Sequence, residues 1–355
     1  MPGTTSFTYS NEQLSVNLAN QVKEARSMRD RKYPVVADVM ANTDKETGGE
    51  RIIVRWETDD HSEPTRVQTG YEQWNDAIQT TLTPGHESWG IVVQPVMISE
   101  VDEQKNSGPA KVLDLLKIRV ANVERHQHRN FQDVILRGPA ASGTYNGIAA
   151  FVDFNSLNGV DSTTGLLEAS TSGTNMIHGV SKASFPATSH PQFHNEYADC
   201  AGAAGTNLLN ALYGFIVNLM IKDGEMSPSE YIGYFSPNAL KWLKRILRAQ
   251  EQYVSDGEMD DGKRTAMVYH GIKLKPVHNL PQSGANTTAN PVSGYIVNWK
   301  RGIRFRAQNK WIFNWTKFID IPGTIGVRAS INRLWGNLIG HQVGLCALLA
   351  DAESY

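Results

Sequence analysis

The sequence predicts an α+β fold: a short N-terminal arm, a strand-rich excursion with no core of its own, one unusually long helix, a mixed lobe, and closing strands. Three observations predict it. "RIIVRWET" (51–58) alternates Ile52, Val54 and Trp56 with Arg51, Ile53, Arg55 and Glu57, the period-two pattern of a half-buried strand. "WGIVVQPVMIS" (89–99) reads as a second strong strand, and the polar stretch between the two has too few apolar residues to build a core. Over 106–138, Val112, Leu116, Val120, Val123, Phe131 and Val134 recur at spacings of three and four, with a single gap at Gln127. That helix is about 28 residues, or roughly 40 Å, against a mean of about 11–12 residues.

The elements follow in order. Leu14, Leu18, Val22 and Ala25 place an amphipathic helix over 11–28, an arm rather than a domain. In the excursion, Tyr71, Trp74, Ile78 and Leu82 suggest a small helix ended by "TPG", and Trp89, Ile91 and Val93 begin the return strand. Ser107 and Pro109 suit the start of the long helix, and Gly138-Pro139 its end. Residues 140–198 are rich in Gly, Ser and Thr, with short strand-like pieces. A helix with a small-residue start follows Cys200. "SEYIGYFSPNALKWLKRILRAQ" is a strand, a Ser-Pro turn and a helix with Pro237 in its first turn. "VYHGIKLKPVHNLP" is a strand opened by a glycine, "SGYIVNWKRGIRFRAQ" and "KWIFNWTKFID" look like paired strands, and "GTIGVRASINRLWGNLIGHQVGLCALLA" supplies two more.

The charge balance, 34 Lys+Arg against 36 Asp+Glu, lacks the basic excess of a protein that coats nucleic acid. Near-neutrality suits a chain that packs against copies of itself. Two cysteines in unrelated contexts, Cys200 and Cys346, are no disulfide framework. The N-terminus shows no basic and apolar pattern of a signal peptide. The longest apolar run, "LLNALYGFIVNLMI", is broken by Asn210, Gly214 and Asn218 and reads as a buried helix, so no membrane partner is expected.

Residues able to carry chemistry are few. "HPQFHNE" sets His190 and His194 four apart with Glu196 close by, a metal-ligand spacing on a helix. Pro191 between them makes the stretch a polar loop, and no metal is expected. His126 and His128, two apart on the long helix, point in different directions. Cys200 sits among small residues as a packed thiol. "GAAGTN" lacks the lysine of a phosphate loop. No catalytic, cofactor-binding or metal-binding residue is therefore assigned. Two basic groups stand out: Lys241, Lys244, Arg245 and Arg248 on one helix, and Lys300, Arg301, Arg304 and Arg306 on strands. Trp242, Trp299 and Phe305 nearby would suit nucleic acid, while the charge balance suits salt bridges between subunits. Trp56, Trp74 and Trp89, in a region without its own core, suit interface anchors. The residues expected at contacts between subunits are Arg51, Arg55, Trp56, Trp74, Trp89, Lys241, Arg245 and Arg248.

This order of elements resembles the major capsid protein of tailed bacteriophages, the Hong Kong 97-type fold, over nearly the whole chain. The local signatures are "GIAAF" after the long helix, "YIGYFSPNALKWLKRI", "YHGIKLKPVHNLP" and "VRASINRLWGNLIGHQVGLCALL". The resemblance implies an arm over 1–33, an extended hairpin loop over 34–104, and a peripheral lobe with a spine helix over 105–144 and 301–355. It implies an axial lobe over 145–300. It also implies a non-enzymatic shell subunit that forms pentamers and hexamers around packaged double-stranded DNA. The partners would be copies of itself, a separate scaffolding protein, a portal and a cement protein, in a virion assembled in the host cytoplasm. On this reading the hairpin lacks a core because it lies on the neighbouring subunit. Some members of the family join a hairpin lysine to a neighbour's asparagine; no lysine lies between Trp56 and Trp89 here, so the contacts are non-covalent. An encapsulin, the same fold around enzyme cargo, is the alternative, which the long hairpin and 355 residues disfavour. A metal-dependent hydrolase using the histidine loop is the alternative from another class.

Overall fold

The computed structural model describes residues 33–58, 81–101, 115–137, 145–152, 159–161, 176–181, 184–185, 190–199, 206–224, 227–249, 267–277, 280, 292–323 and 326–350. The arm helix, the small helix around Trp74, the start of the long helix and Cys200 lie outside these residues. The chain divides into two compact units. The smaller takes in Met1–Lys32, Val92–Asn130 and Phe313–Leu334; the larger takes in Tyr33–Ile91, Phe131–Ile312 and Trp335–Tyr355.

The larger unit is built on a seven-stranded mixed sheet. In chain order its strands are β5 (Gly159–Asp161), β8 (Asn195–Asp199), β9 (Tyr231–Phe235), β10 (Met267–Tyr269), β11 (Ile272–Pro276), β12 (Val292–Asn298) and β17 (Ala347–Ala350), and in space they run β10-β11-β9-β12-β17-β8-β5. Met176–Ile177 (β6) and Val180–Ser181 (β7) form a separate antiparallel pair. Two helices, Thr206–Asp223 and Pro237–Ala249, share one buried cluster with this sheet. The first contributes Leu208, Leu212, Phe215 and Leu219, the second Leu240, Leu243 and Leu247, and the strands Tyr231, Phe235, Ile272, Leu274 and Leu349. The Pro237–Ala249 helix starts as the sequence indicates. Ser236 Oγ accepts the Ala239 N–H at 3.1 Å, and Pro237, lacking an N–H, takes the first turn. Gly233 in β9 is required: a Cβ there would lie 2.5 Å from the Leu274 side chain.

The central strands of this sheet also hold a helix, Pro34–Ala41, within the stretch assigned by resemblance to the hairpin loop. Its Val35, Val36 and Val39 are buried. Its Asp38 accepts a hydrogen bond from Tyr234 Oη (2.7 Å) and pairs with Lys275 (2.6 Å), while Trp299 Nε1 donates to the same tyrosine oxygen (2.9 Å). Burial and the Asp38 carboxylate push the Tyr234 phenol well above its ordinary pKa.

The hairpin differs from expectation. Arg51–Glu57 (β2) pairs not with the strong strand after Trp89 but with Leu82–Ser88 (β3), in antiparallel register from Arg51↔Ser88 to Glu57↔Leu82. "LTPGHES" reads as a helix stop because of Pro84 and Gly85. In a two-stranded ribbon proline is tolerated at an edge. Gly85 is needed because a Cβ there would meet the Trp56 ring at 2.5 Å. The strong strand, Gly90–Ser99 (β4), pairs instead with Val327–Gly340 (β16). Nor do "SGYIVNW" and "IRFRAQ" pair with each other: β12 pairs with β9 and β17, whereas Ile303–Gln308 (β13) pairs with β16 at Gly336–Gly340 and in parallel with Asp44–Glu46 (β1).

In the smaller unit, Asn314–Trp315 (β14) and Ile319–Asp320 (β15) pair with the first half of β16. The long helix is described over Leu115–Arg137. Its first part belongs to this unit. There Trp315 Nε1 donates to Glu124 (3.0 Å) and Phe313 meets His128 edge-on at 4.8 Å. Leu116, Val120 and Val123 are only half-buried. Its last turns belong to the larger unit, where Phe131, Val134 and Ile135 are buried and Phe131 packs 5.2 Å from both Tyr145 and Phe305. Gln127, the gap in the sequence stripe, is itself buried.

Candidate assembly surfaces

The informative surface is apolar area that the fold leaves in water. The helix Thr206–Asp223, here α3 after Pro34–Ala41 (α1) and Leu115–Arg137 (α2), supplies it in the larger unit. Its inner face fills the core. Its outer face carries Tyr213, Val217, Met220 and Ile221, spaced by four, three and one, which puts them on one stripe. They range from Val217 at 36% to Ile221 at 75% exposed. The sequence reads this run as a buried helix; its own chain buries one side. A contiguous apolar stripe left in water on a helix surface marks a contact site. The smaller unit has a second such surface. Along β4 the alternate residues Val96 and Ile98 are buried and Val93 and Met97 are open. Phe318, Ile319 and Ile331 of the same unit are also exposed.

The residues expected at intersubunit contacts fall into different environments. Arg51 and Arg55 are on the outward face of β2 and exposed. Trp56 is absorbed by its own chain. Its Nε1 donates to the His341 carbonyl (2.8 Å), and its ring lies 5.4 Å from Phe193 and stacks 5.8 Å from His178. The base of the hairpin therefore packs on its own subunit, because the alternate residues Ile52, Val54 and Trp56 find apolar partners there. Trp89 is half-buried, donating to the Gly49 carbonyl (2.9 Å) and meeting Trp335 edge-on. Trp74 lies outside the described residues. On Pro237–Ala249 (α4), Lys241 and Arg245 are exposed, and Arg245 sits 5.0 Å over the Trp242 ring. Arg248 is in the same helix, its side chain outside the described residues. The second basic group is paired within the chain: Lys300 with Glu230 (2.8 Å), Arg301 with Asp223 (2.6 Å), Arg304 with Asp44 (3.2 Å) and Arg306 with Glu46 (2.9 Å).

The histidine stretch is not a polar loop. His194 is fully buried and its Nε2–H donates to the Phe185 carbonyl (2.7 Å); His190 Nε2 contacts the Thr58 carbonyl. Glu196, also fully buried, pairs with Lys222 at 2.5 Å and accepts from Asn218 (2.9 Å), while Lys222 Nζ donates to the His194 carbonyl (2.8 Å). Burial lowers the Lys222 pKa, and Glu196 opposes that shift. The only sequence signal for this pair is a lysine ending an apolar helix and a glutamate opening a strand. Among the described residues, no three potential metal ligands gather, and no helix is long and apolar enough to cross a membrane. His126 contacts Gln94 (2.9 Å), and the Cys346 thiol is buried.

His341 sits beside the basic group. Burial first, then Arg306 and Arg304, hold its pKa at about 4, below the ordinary 6.5. Between those values the unfolded chain binds a proton that the folded chain refuses. Stability should therefore be lost as pH falls from about 6.5 towards about 4. His341→Gln should flatten that part of the profile, as read by urea midpoints across the window.

No protein-family profile matches this sequence, and no curated protein matches it. Solved structures do. The chain is similar to the capsid asymmetric unit of cyanophage A-1(L), with a TM-score of 0.61 and 13% identity over 96% of this chain and 99% of that one. It is similar to the capsid of a native GTA particle computed with C5 symmetry, with a TM-score of 0.57 and 10% identity over 93% and 94%. It is also similar to the SrpI encapsulin of Synechococcus elongatus, with a TM-score of 0.56 and 12% identity over 96% of each chain. At such identities the likeness is one of fold, and it runs end to end. The chain has the α+β fold of phage capsid subunits named by the sequence resemblance.

Proposed function

We propose that this chain is the shell subunit of a tailed phage, with no catalytic activity, assembling into pentamers and hexamers that enclose packaged double-stranded DNA. The observation that carries the reading is α3: in a fold shared with shell proteins over 96% of this chain, its Tyr213, Val217, Met220 and Ile221 form an apolar stripe that the described residues leave exposed. A closed shell repeats one contact many times, so even modest contacts between copies hold it. Obligate interfaces of this kind bury roughly 2,000–5,000 Å². In this reading residues 145–300 form the axial lobe and 105–144 with 301–355 the peripheral lobe. The arm over 1–33 and the distal part of the 34–104 excursion lap onto neighbours. Scaffolding, portal and cement proteins act from outside the chain, and the subunit ends in the virion after assembly in the host cytoplasm.

The likeness to an encapsulin supports a second reading, a shell around enzyme cargo. Electron microscopy of particles purified from infected or lysogenic cells tests both. Closed icosahedral shells holding nuclease-protected DNA are expected. Shells holding protein and no DNA would favour the second reading, and a monomer or small oligomer under every assembly condition would sink both.

A further inference from the structure

Beside the base of the hairpin, within the larger unit, opens a cavity of about 590 Å³. Arg55, Lys300, Arg301 and Arg304 line it, against one carboxylate, Glu57. Three of these cations are paired within the chain, Lys300 with Glu230, Arg301 with Asp223 and Arg304 with Asp44, and the pairs fix their heads at the cavity. The Lys300 side chain remains 60% exposed and that of Arg301 41%. Trp56 and Phe193 supply an apolar wall. At the same wall, burial first and then Arg306 and Arg304 lower the proton affinity of His341. Cations fixed in place before a ligand arrives bind an oxyanion without the cost of ordering long side chains.

A nucleic-acid strand fits this cavity poorly. The chain as a whole carries 34 basic against 36 acidic residues and has no long-range attraction for a polyanion. Trp56 is 7% exposed and offers no face on which a base could stack. A balanced chain that gathers cations in one recess has acids to spare elsewhere on its surface, which permits head-to-tail pairing of copies. The smaller unit carries an exposed carboxylate beside exposed apolar residues. Asp320 has an 85% exposed side chain, Ile319 and Phe318 beside it are exposed apolar residues, and Pro322 and Gly323 turn the chain just after. Among the described residues Asp320 pairs with Arg328 at 3.3 Å, an exposed pair of the kind that contributes little.

We propose that the cavity lined by Arg55, Lys300 and Arg304 receives the 318–323 turn of a second copy of this chain, with Asp320 meeting the cations. The inference rests on the shell reading above and names one of its contacts. The contact is heterologous, so it propagates from copy to copy and closes only through the geometry of the shell.

The test is a charge-swap series on the full chain. Arg55→Glu and Asp320→Lys each alter an exposed residue, so circular dichroism and the urea midpoint should stay as in the wild type. Particle yield should fall at least tenfold in each variant and recover when the two changes are combined. Arg55→Gln, which removes charge without reversing it, should give an intermediate yield, and it keeps the test alive if Arg55→Glu fails to fold. Independently, Arg55→Cys with Asp320→Cys should give a ladder of disulfide-linked multimers on non-reducing gels that neither single variant gives. Wild-type yields from both charge variants, or particles without a ladder from the cysteine pair, overturn the proposal. So would Arg55→Glu particles that form normally but lose their DNA, which would assign the cavity to nucleic acid. If the wild type itself forms no particles, it is the shell reading that has failed.

Discussion

Met220→Asp combined with Ile221→Asp should give a subunit that folds and forms no particles. Both side chains point away from the core cluster and are more than half exposed, so the change meets water in the free subunit. Surface substitutions of this kind shift stability by about 0.5 kcal/mol or less. In an assembled shell the same stripe would be covered. Each lost apolar side chain would forgo about 1.5–3 kcal/mol of burial, and each buried carboxylate would add several more. Because every subunit repeats the loss, assembly should fail outright rather than weaken. Size-exclusion chromatography and circular dichroism check the two halves of the expectation. Normal particles from this variant would mean that the outer face of α3 stays in water, and the observation carrying the shell reading would be gone.

Lys222→Met should have the largest effect on the fold itself. It keeps the length of the side chain and removes the counter-charge of Glu196, which has no exposed surface. Breaking a buried pair on one side costs about 3–5 kcal/mol, a large share of the 5–15 kcal/mol that holds a typical domain. Glu196→Gln added to Lys222→Met should recover much of the loss, since the amide oxygen still accepts the Asn218 hydrogen bond and no charge is stranded. Urea unfolding of the unassembled subunit measures all three variants. Equal stability of Lys222→Met and wild type would show that the pair is open to solvent. The same network means that His194→Ala is no neutral change, because it empties a fully buried site and strands the Phe185 carbonyl.

How much of this was legible in the residues depended on the range of the interaction that decides each feature. The start of α4 is local: Ser236, Pro237 and the Leu240–Leu243–Leu247 spacing lie within three turns, and the structure repeats them. The alternation of β2 is also local, and its inward residues are the ones the pattern picks. The partner of β2 is not local. "LTPGHES" is a poor strand by composition, and it is one because Gly85 leaves room for a tryptophan 29 positions earlier and because the ribbon needs no further neighbour. The histidine stretch failed for a related reason. Proline and polar residues signal a loop, but burial of His194 and Glu196 is set by α3, and above all by Lys222 at its far end.

The sequence by itself determined that this is an α+β chain with one long helix and a half-buried strand over 51–57, because periodicity, turn residues and composition act within a few residues of each other. The tertiary structure decided which strands pair, which tryptophan is an inner anchor, and which side of an apolar helix remains uncovered. Those outcomes follow from side chains far apart in the chain competing for the same contacts. A stripe such as Tyr213, Val217, Met220 and Ile221 cannot be told from a core stripe until the core has been filled by others.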